Sequence, residues 1–374
     1  LKLLSFKNKY KLKDYKFALV ISVLAISCLG IMVIGSAKES VQSRQIAGLI
    51  VGGAAMLVIS LIDYVWLLRF YWVIYGLNII LLLAVEFLGT DANNAVRWID
   101  LGFFRFQPAE LSKILLILFF AKFIMEHEDS LSELKTILKA VVLLAPSLIL
   151  IIRQPDLSTT ISIVLVFCIL LYVGGLSYKF IGTVLLIMVP TAIIFISIVV
   201  QPNQPFLRDY QQERILAWLQ PEKYANDTAY QQTNSVMAIG SGQLTGKGLN
   251  NNTTTSLKNG NYILEPQTDF IFAIVGEELG LIGCCIVIGL LLLIVLECII
   301  IGVKAQDLAG RIICCGVAAQ IGFQGFINIA VATGILPNTG LPLPFVSYGM
   351  TSLVSLLMGI GLVLNVGLQP KKYQ

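Results

Sequence analysis

The chain has 374 residues, 57% of them hydrophobic and 13% charged, with a mean hydropathy of +0.84. Soluble domains carry about 25% charged residues, so the composition excludes a soluble enzyme or an ordinary nucleic-acid-binding module. The net charge of +4 reads as membrane topology, because Lys and Arg collect in cytoplasmic loops.

Crossing a bilayer takes roughly 20 apolar residues per helix. Such stretches recur at about 16–36, 46–62, 66–88, 108–125, 137–152, 160–175, 178–200, 279–301, 311–334 and 346–368. The period-two alternation of a β-barrel is missing. The expectation is an all-α integral membrane protein, a bundle of about ten transmembrane helices with one long extracellular loop between spans seven and eight. Residues 1–15 form a basic cytoplasmic segment, 16–370 a single membrane domain and 371–374 a cytoplasmic tail. The first span is too long for a signal peptide and lacks a cleavage pattern. Lys2, Lys7, Lys9, Lys11, Lys13 and Lys16 precede it and hold the N-terminus inside. An even number of spans returns Lys371 and Lys372 to that side, and the loops 122–139 and 302–311 are also inner.

Polar residues gather where the spans meet the outer loops. "GTDANNAVRWIDLGFFRFQPAELSK" (89–113) holds Arg97, Arg105, Glu110 and Lys113. Pro108 suits the first turn of a helix, which sets Glu110 and Lys113 on one face. Lys113 then lies about 8 Å below the helix start, a depth at which a charged pair is costly and usually lines a cavity. A purely structural ion pair is the alternative. "RQPDLSTT" adds Arg153 and Asp156. Outer arginines run against the positive-inside bias, and three loops share the departure.

The loop 201–268 opens on "QPNQPFLRDYQQERILAWLQPE", an amphipathic helix with Ile215, Leu216 and Leu219 on one face, suited to the membrane surface. "AIGSGQLTGKGL" lacks the strand-to-helix setting and the G-K-[ST] ending of a phosphate loop. "GILPNTGLPLPFVSYGMTS" (334–352) is uncharged and rich in Pro and Gly, so its backbone is bent and open to a ligand. The seven cysteines all fall within predicted spans and show no metal or disulfide spacing. His127, the single histidine, sits in an inner loop, which removes Ser-His-Asp and His-zinc chemistry.

Four carboxylates mark "ILEPQTDFIFAIVGEELG" (263–280): Glu265, Asp269, Glu277 and Glu278. The run from Leu281 spans unaided, so a continuous helix would hold Asp269 about 18 Å above it, at headgroup depth. Thr268 could cap that helix, with Asp269 stabilised by the macrodipole in its first turn. Glu277 and Glu278 read as interfacial residues or internal ion-pair partners. A site on one leaflet fits the clustering better than a transport path, which needs polar groups through the midplane.

"WIDLG", "FQPAELSK", "QPDLSTT", "AIGSGQLTGKGL", "PQTDFIFAIVGEELG" and "GLPLPFVSYG", in this order, resemble the shape, elongation, division and sporulation family of bacterial cell-wall polymerases, RodA and FtsW. The likeness runs from about Lys16 to Leu368 and leans towards RodA in "YQQERILAWLQPE" and "GILPNTGLPLP". Ser158 and Met350 stand where the family usually has glycine. The resemblance implies a peptidoglycan glycosyltransferase that polymerises lipid II on the outer face of the bacterial cytoplasmic membrane, inverting at the MurNAc carbon. It implies Asp269 as the catalytic base. Substrate contacts would come from Lys113, Glu110, Arg97, Trp98, Arg105, Gln107, Arg153, Asp156 and Ser347. A divalent cation, Mg or Mn, could share in neutralising the pyrophosphate; no organic cofactor is implied. The implied partners are lipid II, the growing glycan strand, membrane lipids and a class B penicillin-binding protein, with no nucleic acid. A lipid II flippase and a non-catalytic scaffold for the transpeptidase are the rival functions.

Overall fold

The computed structural model describes residues 15–92, 95–100, 102, 104–178, 182–183, 186, 197–199, 201, 209–224, 229–250 and 265–369. It is a helical bundle. α1 (Phe17–Ala37) and α2 (Glu39–Leu61) are followed by the short α3 (Tyr64–Leu67) and by α4 (Tyr71–Leu88). Three short strands come next: β1 (Thr90–Ala92), β2 (Ala95–Asp100) and β3 (Arg105–Phe106). α5 (Pro108–Glu126), α6 (Leu134–Arg153) and α7 (Leu157–Val173) complete the first half. The second half holds α8 (Asp209–Leu219), α9 (Tyr230–Ser241), α10 (Ile271–Val303), α11 (Leu308–Ala332) and α12 (Met350–Leu368).

Among the described residues, seven helical stretches are long and apolar enough to cross a membrane: 17–37, 39–61, 64–88, 134–153, 271–303, 308–332 and 350–368. α7 is shorter, and α5 carries Glu110, Lys113, Lys122 and Glu126. The expected span 178–200 falls largely outside the described residues, as do the terminal segments 1–14 and 370–374 and loop residues 251–264. α2 begins seven residues before the apolar run from which it was expected, because Gln45 faces protein: its buried amide donates to the Ser347 carbonyl at 3.1 Å. The sheet was not anticipated. β1 pairs antiparallel with β2, and β2 with β3 through Ile99–Phe106 and Asp100–Arg105.

α5, α11 and α12 form the centre, buried along nearly all their length. α2 and α4 instead turn large apolar side chains outward, including Ile50, Val73 and Ile80. Such a face suits lipid, where apolar exposure carries no penalty and association depends on close packing. α12 lies against α2 through small residues: a Cβ placed on Gly361 would come within 2.7 Å of the Met56 carbonyl oxygen.

The connections segregate to two ends. At one, Tyr64 donates to Asp307 at 2.9 Å, Gln369 to Asp63 at 3.1 Å and Tyr71 to Glu126 at 2.8 Å. At the other, β2 meets the α6–α7 connection, and the 334–349 loop meets residues 267–269. The first set is the one the lysine pattern marks as inner, the second the one marked as outer.

Gly361→Val should push α12 off α2 and destabilise the bundle by about 1–3 kcal/mol, the usual range for overpacking. A thermal unfolding midpoint in detergent equal to that of the wild type would contradict the close helix contact.

Candidate active site at one end of the bundle

α10 is broken. Gly280 has φ +64° and ψ −163°, a conformation closed to side chains with a Cβ. The helix therefore does not stand straight up, and Ile271–Glu278 are buried as a tilted half-helix. This corrects the expectation of a continuous helix from Asp269 to Leu281. The amides freed by the break are satisfied internally: Leu281 donates to the Gln243 carbonyl at 2.8 Å and Ile282 to Leu244 at 3.2 Å. Returning bonds run from Lys247 and Gly248 amides to the Glu277 and Glu278 carbonyls, both 2.9 Å. "AIGSGQLTGKGL" is thus a plug for a helix break. Glu277 pairs with Lys247 at 2.8 Å and Glu278 accepts from Ser36, so both acids are internal partners.

Asp269 lies in the turn before α10. Thr268 does not cap the helix; its hydroxyl bonds back to Glu265 O at 2.9 Å, and Asp269 is outside the first helical turn. The capping explanation for the acid therefore fails. Among the described residues, nothing donates a hydrogen bond to the Asp269 carboxylate. The residue is half-buried; desolvation is the largest influence on its carboxylate and pushes its pKa up to about 6, with Glu265 and Asp156 adding to the rise and Arg214 and Arg97 opposing it. The backbone around it is tied on every side. Asn328 Nδ2 donates to Asp269 O at 2.8 Å, Ser347 Oγ to Thr268 O at 2.6 Å and the Tyr348 amide to Gln267 O at 2.8 Å.

The expected substrate residues divide into three groups. Arg97 on β2 reaches the α6–α7 connection, donating to Gln154 O at 3.0 Å and to Pro155 O, and its charge acts on Asp269. Trp98 is half-buried on the same strand. Asp156 and Gln107 join the cluster: Gln107 Nε2 donates to Asp156 Oδ2 at 3.2 Å while Asp156 Oδ1 caps α7 at the Thr159 amide. Ser347 is 5% exposed and accepts from the Leu343 amide at 2.7 Å, so its hydroxyl holds the turn together. The 341–347 backbone, expected to be open, is packed inside. Arg105 and Arg153 stand apart, both exposed; Arg153 pairs with Glu86 at 3.3 Å.

Lys113 and Glu110 meet as the helical spacing requires, at 2.8 Å, each 2% exposed. A void of about 10 Å³ lies beside Lys113, among Ile117, Phe120, Ile163 and Phe167, room for about one water. The ammonium is served instead by Gln324 Oε1 at 3.1 Å.

Three residues escaped sequence reading. Arg214 on α8 is the strongest charge facing Asp269, and Asn328 and Gln324 on α11 bond to its turn and to Lys113. α8 was read as a surface helix by its apolar face. Its inward contacts come from Arg214, which reaches Asn338 O at 3.5 Å, and Trp218, which reaches Gly334 O at 3.1 Å. A cavity of about 420 Å³ opens between α8 and α9, lined by Trp218, Val236 and Met237 among others. Among the described residues, no group of three or more His, Cys, Asp or Glu forms a metal cage.

The model of the cell cycle protein family FtsW/RodA/SpoVE matches residues 12–372. The chain belongs to this family. It is 33% identical to the probable peptidoglycan glycosyltransferase FtsW of Geobacter sulfurreducens, over 97% of this chain and 98% of the relative. It is 34% identical to the peptidoglycan glycosyltransferase MrdB of Escherichia coli, over 97% and 95%. Identity does not separate the branches. Among solved structures, a chain from work on a peptidoglycan synthase complex that coordinates polymerization and crosslinking aligns with a TM-score of 0.78. It is 29% identical and covers 94% of this chain and 97% of that one. The rod shape determining protein RodA of Thermus thermophilus aligns at 0.69, 26% identical, covering 96% and 98%. At the two places where the resemblance led us to expect glycine, Ser158 donates to Thr339 O and Met350 packs against Gly48.

Lys113→Met should cost about 3–5 kcal/mol by stranding the buried Glu110 carboxylate. Removing both charges, with Glu110→Leu added, should recover most of that loss. Equal unfolding midpoints for the single and double variants would show that the pair is not coupled.

Proposed function

We propose that this protein is a peptidoglycan glycosyltransferase that polymerises lipid II, with Asp269 as the general base. The single observation that carries the reading is the Asp269 carboxylate: raised by burial to about 6, given no hydrogen bond by any described residue, and faced by Arg97 and Arg214. A base of that kind is ionised at neutral pH and basic enough to take a proton from a hydroxyl. The names of the relatives support the same activity.

In the reaction, the GlcNAc 4-hydroxyl of one lipid II attacks the MurNAc anomeric carbon of another chain. The C–O bond to undecaprenyl pyrophosphate breaks with inversion, and Asp269 receives the hydroxyl proton. Pyrophosphate departs without a proton, so its charge is what needs stabilising. Arg214 and Arg97 are the cations closest to the base in effect, and arginine suits bidentate phosphate contact. Lys113, enclosed by Glu110 and Gln324, acts through the packing of α5 on α11. Among the described residues, no three His, Cys, Asp or Glu side chains converge to hold Mg or Mn. The site end of the bundle faces outward in this reading, with both termini cytoplasmic, and a class B penicillin-binding protein crosslinks the product.

Asp269→Asn should abolish glycan synthesis from labelled lipid II, tested with purified protein alone and with a class B partner. Wild-type chain lengths from this variant would remove the base assignment. Arg214→Gln removes a charge that stabilises the carboxylate. The acid limb of the rate profile should therefore move above pH 6, costing activity near neutrality; a limb moved downward would contradict the assigned sign.

A further inference from the structure

We propose that Asn328 of α11 is a positioning residue for Asp269, clamping the turn that carries the carboxylate to the 341–347 loop. Asn328 is 1% exposed and its Nδ2 donates twice, to Asp269 O at 2.8 Å and to Leu341 O at 2.7 Å. Both partners are backbone carbonyls, which only accept, so the orientation of the amide is fixed: the nitrogen faces them and no flipped alternative satisfies either. The two carbonyls come from segments separated by more than 70 positions in sequence. One side chain joins them.

The same face of α11 repeats the device one turn earlier. Gln324 Nε2 donates to Pro342 O at 2.9 Å while its Oε1 accepts from Lys113. Residues i and i+4 share a helical face, so Gln324 and Asn328 hold adjacent carbonyls of one loop, Pro342 and Leu341. One amide continues to the Lys113–Glu110 pair and the other to the reacting turn. A backbone clamp of this kind matters for catalysis because a displacement of 1 Å at a reacting group can cost about 100-fold in rate. The proposal rests on the reading of Asp269 as the base, and it adds the group that sets where that base stands.

Among the described residues, the charged groups that act on Asp269 are Arg214 from α8, Arg97 from β2, Asp156 ahead of α7 and Glu265 in its own turn. Asn328→Ala leaves all four in place and removes only the clamp. The experiment compares wild type, Asp269→Asn, Asn328→Ala and the shape-preserving Asn328→Asp in the full chain, using lipid II polymerisation across pH and size-exclusion profiles in detergent. The expected result is a fall in kcat of about 10- to 100-fold for Asn328→Ala, with KM changed less than threefold. Its acid limb should also move below pH 6 as the loosened carboxylate gains water. Asn328→Asp, lacking the donating amide, should also lose kcat while keeping a monodisperse profile. Wild-type kcat and an unmoved limb in Asn328→Ala, with Asp269→Asn inactive, would overturn the positioning role and leave the base assignment standing. An active Asp269→Asn would overturn the base assignment itself. If neither Asn328 variant yields folded protein, the role is structural only and the proposal fails.

Discussion

The break in α10 at Gly280 sets the geometry of everything built on it. A helix of 33 residues running straight would carry its first turn beyond the apolar layer. The positive φ at Gly280 folds residues 271–279 back into protein instead. Nothing with a Cβ fits there, since the backbone of Leu244 and Gly246 lies within 2.7 Å of where it would stand. Backbone groups at a break in a membrane helix need partners from elsewhere in the protein. The 242–248 loop supplies them, and the Lys247–Glu277 pair lies beside it. With the half-helix fixed, the turn that precedes it is fixed too, and Asp269 comes to rest under the 334–349 loop.

Charge at this site works at a distance. Arg97 and Arg214 lower the carboxylate's pKa without hydrogen-bonding to it, and burial prevails. Direct bonds from either arginine would have made the acid a poor base, by holding its charged form too firmly. Arg97 is kept from doing so by two backbone carbonyls at the start of α7, and Arg214 by the carbonyl of Asn338. Neutral carbonyl acceptors thus take part in holding both arginines where their charge acts on the carboxylate. Lys113 is the contrasting case. Its neutral partner Gln324 and its acidic partner Glu110 enclose the ammonium within the core.

Much of this was legible in the chain. Composition and run length dictated a helical membrane protein. The i, i+3 spacing after Pro108 placed Glu110 against Lys113, and the lysine asymmetry sorted the loops into the two ends that the bundle displays. The half-helix was not legible, because "FAIVGEELG" continues the helical pattern and a Gly there reads as packing. Nor were Asn328 and Gln324. A polar residue in an apolar run shows that it is buried but not which carbonyl it serves. The turn role of Ser347 was hidden for the same reason, since a hydroxyl in a Pro/Gly-rich loop suits a ligand and a backbone equally. Arg214 was visible as a residue, but its function depends on the fold of a helix judged by its apolar face.

The titration of Asp269 itself tests this picture most directly. Infrared difference spectra of the protein in lipid nanodiscs, recorded across pH and compared with Asp269→Asn, isolate the carboxyl stretch of that one side chain. A protonated carboxyl band that grows in with a midpoint near pH 6 and is missing from the variant is the expected result. A midpoint near 4, the ordinary carboxylate range, would mean that burial does not govern the group and would contradict its assignment as a base tuned by the fold.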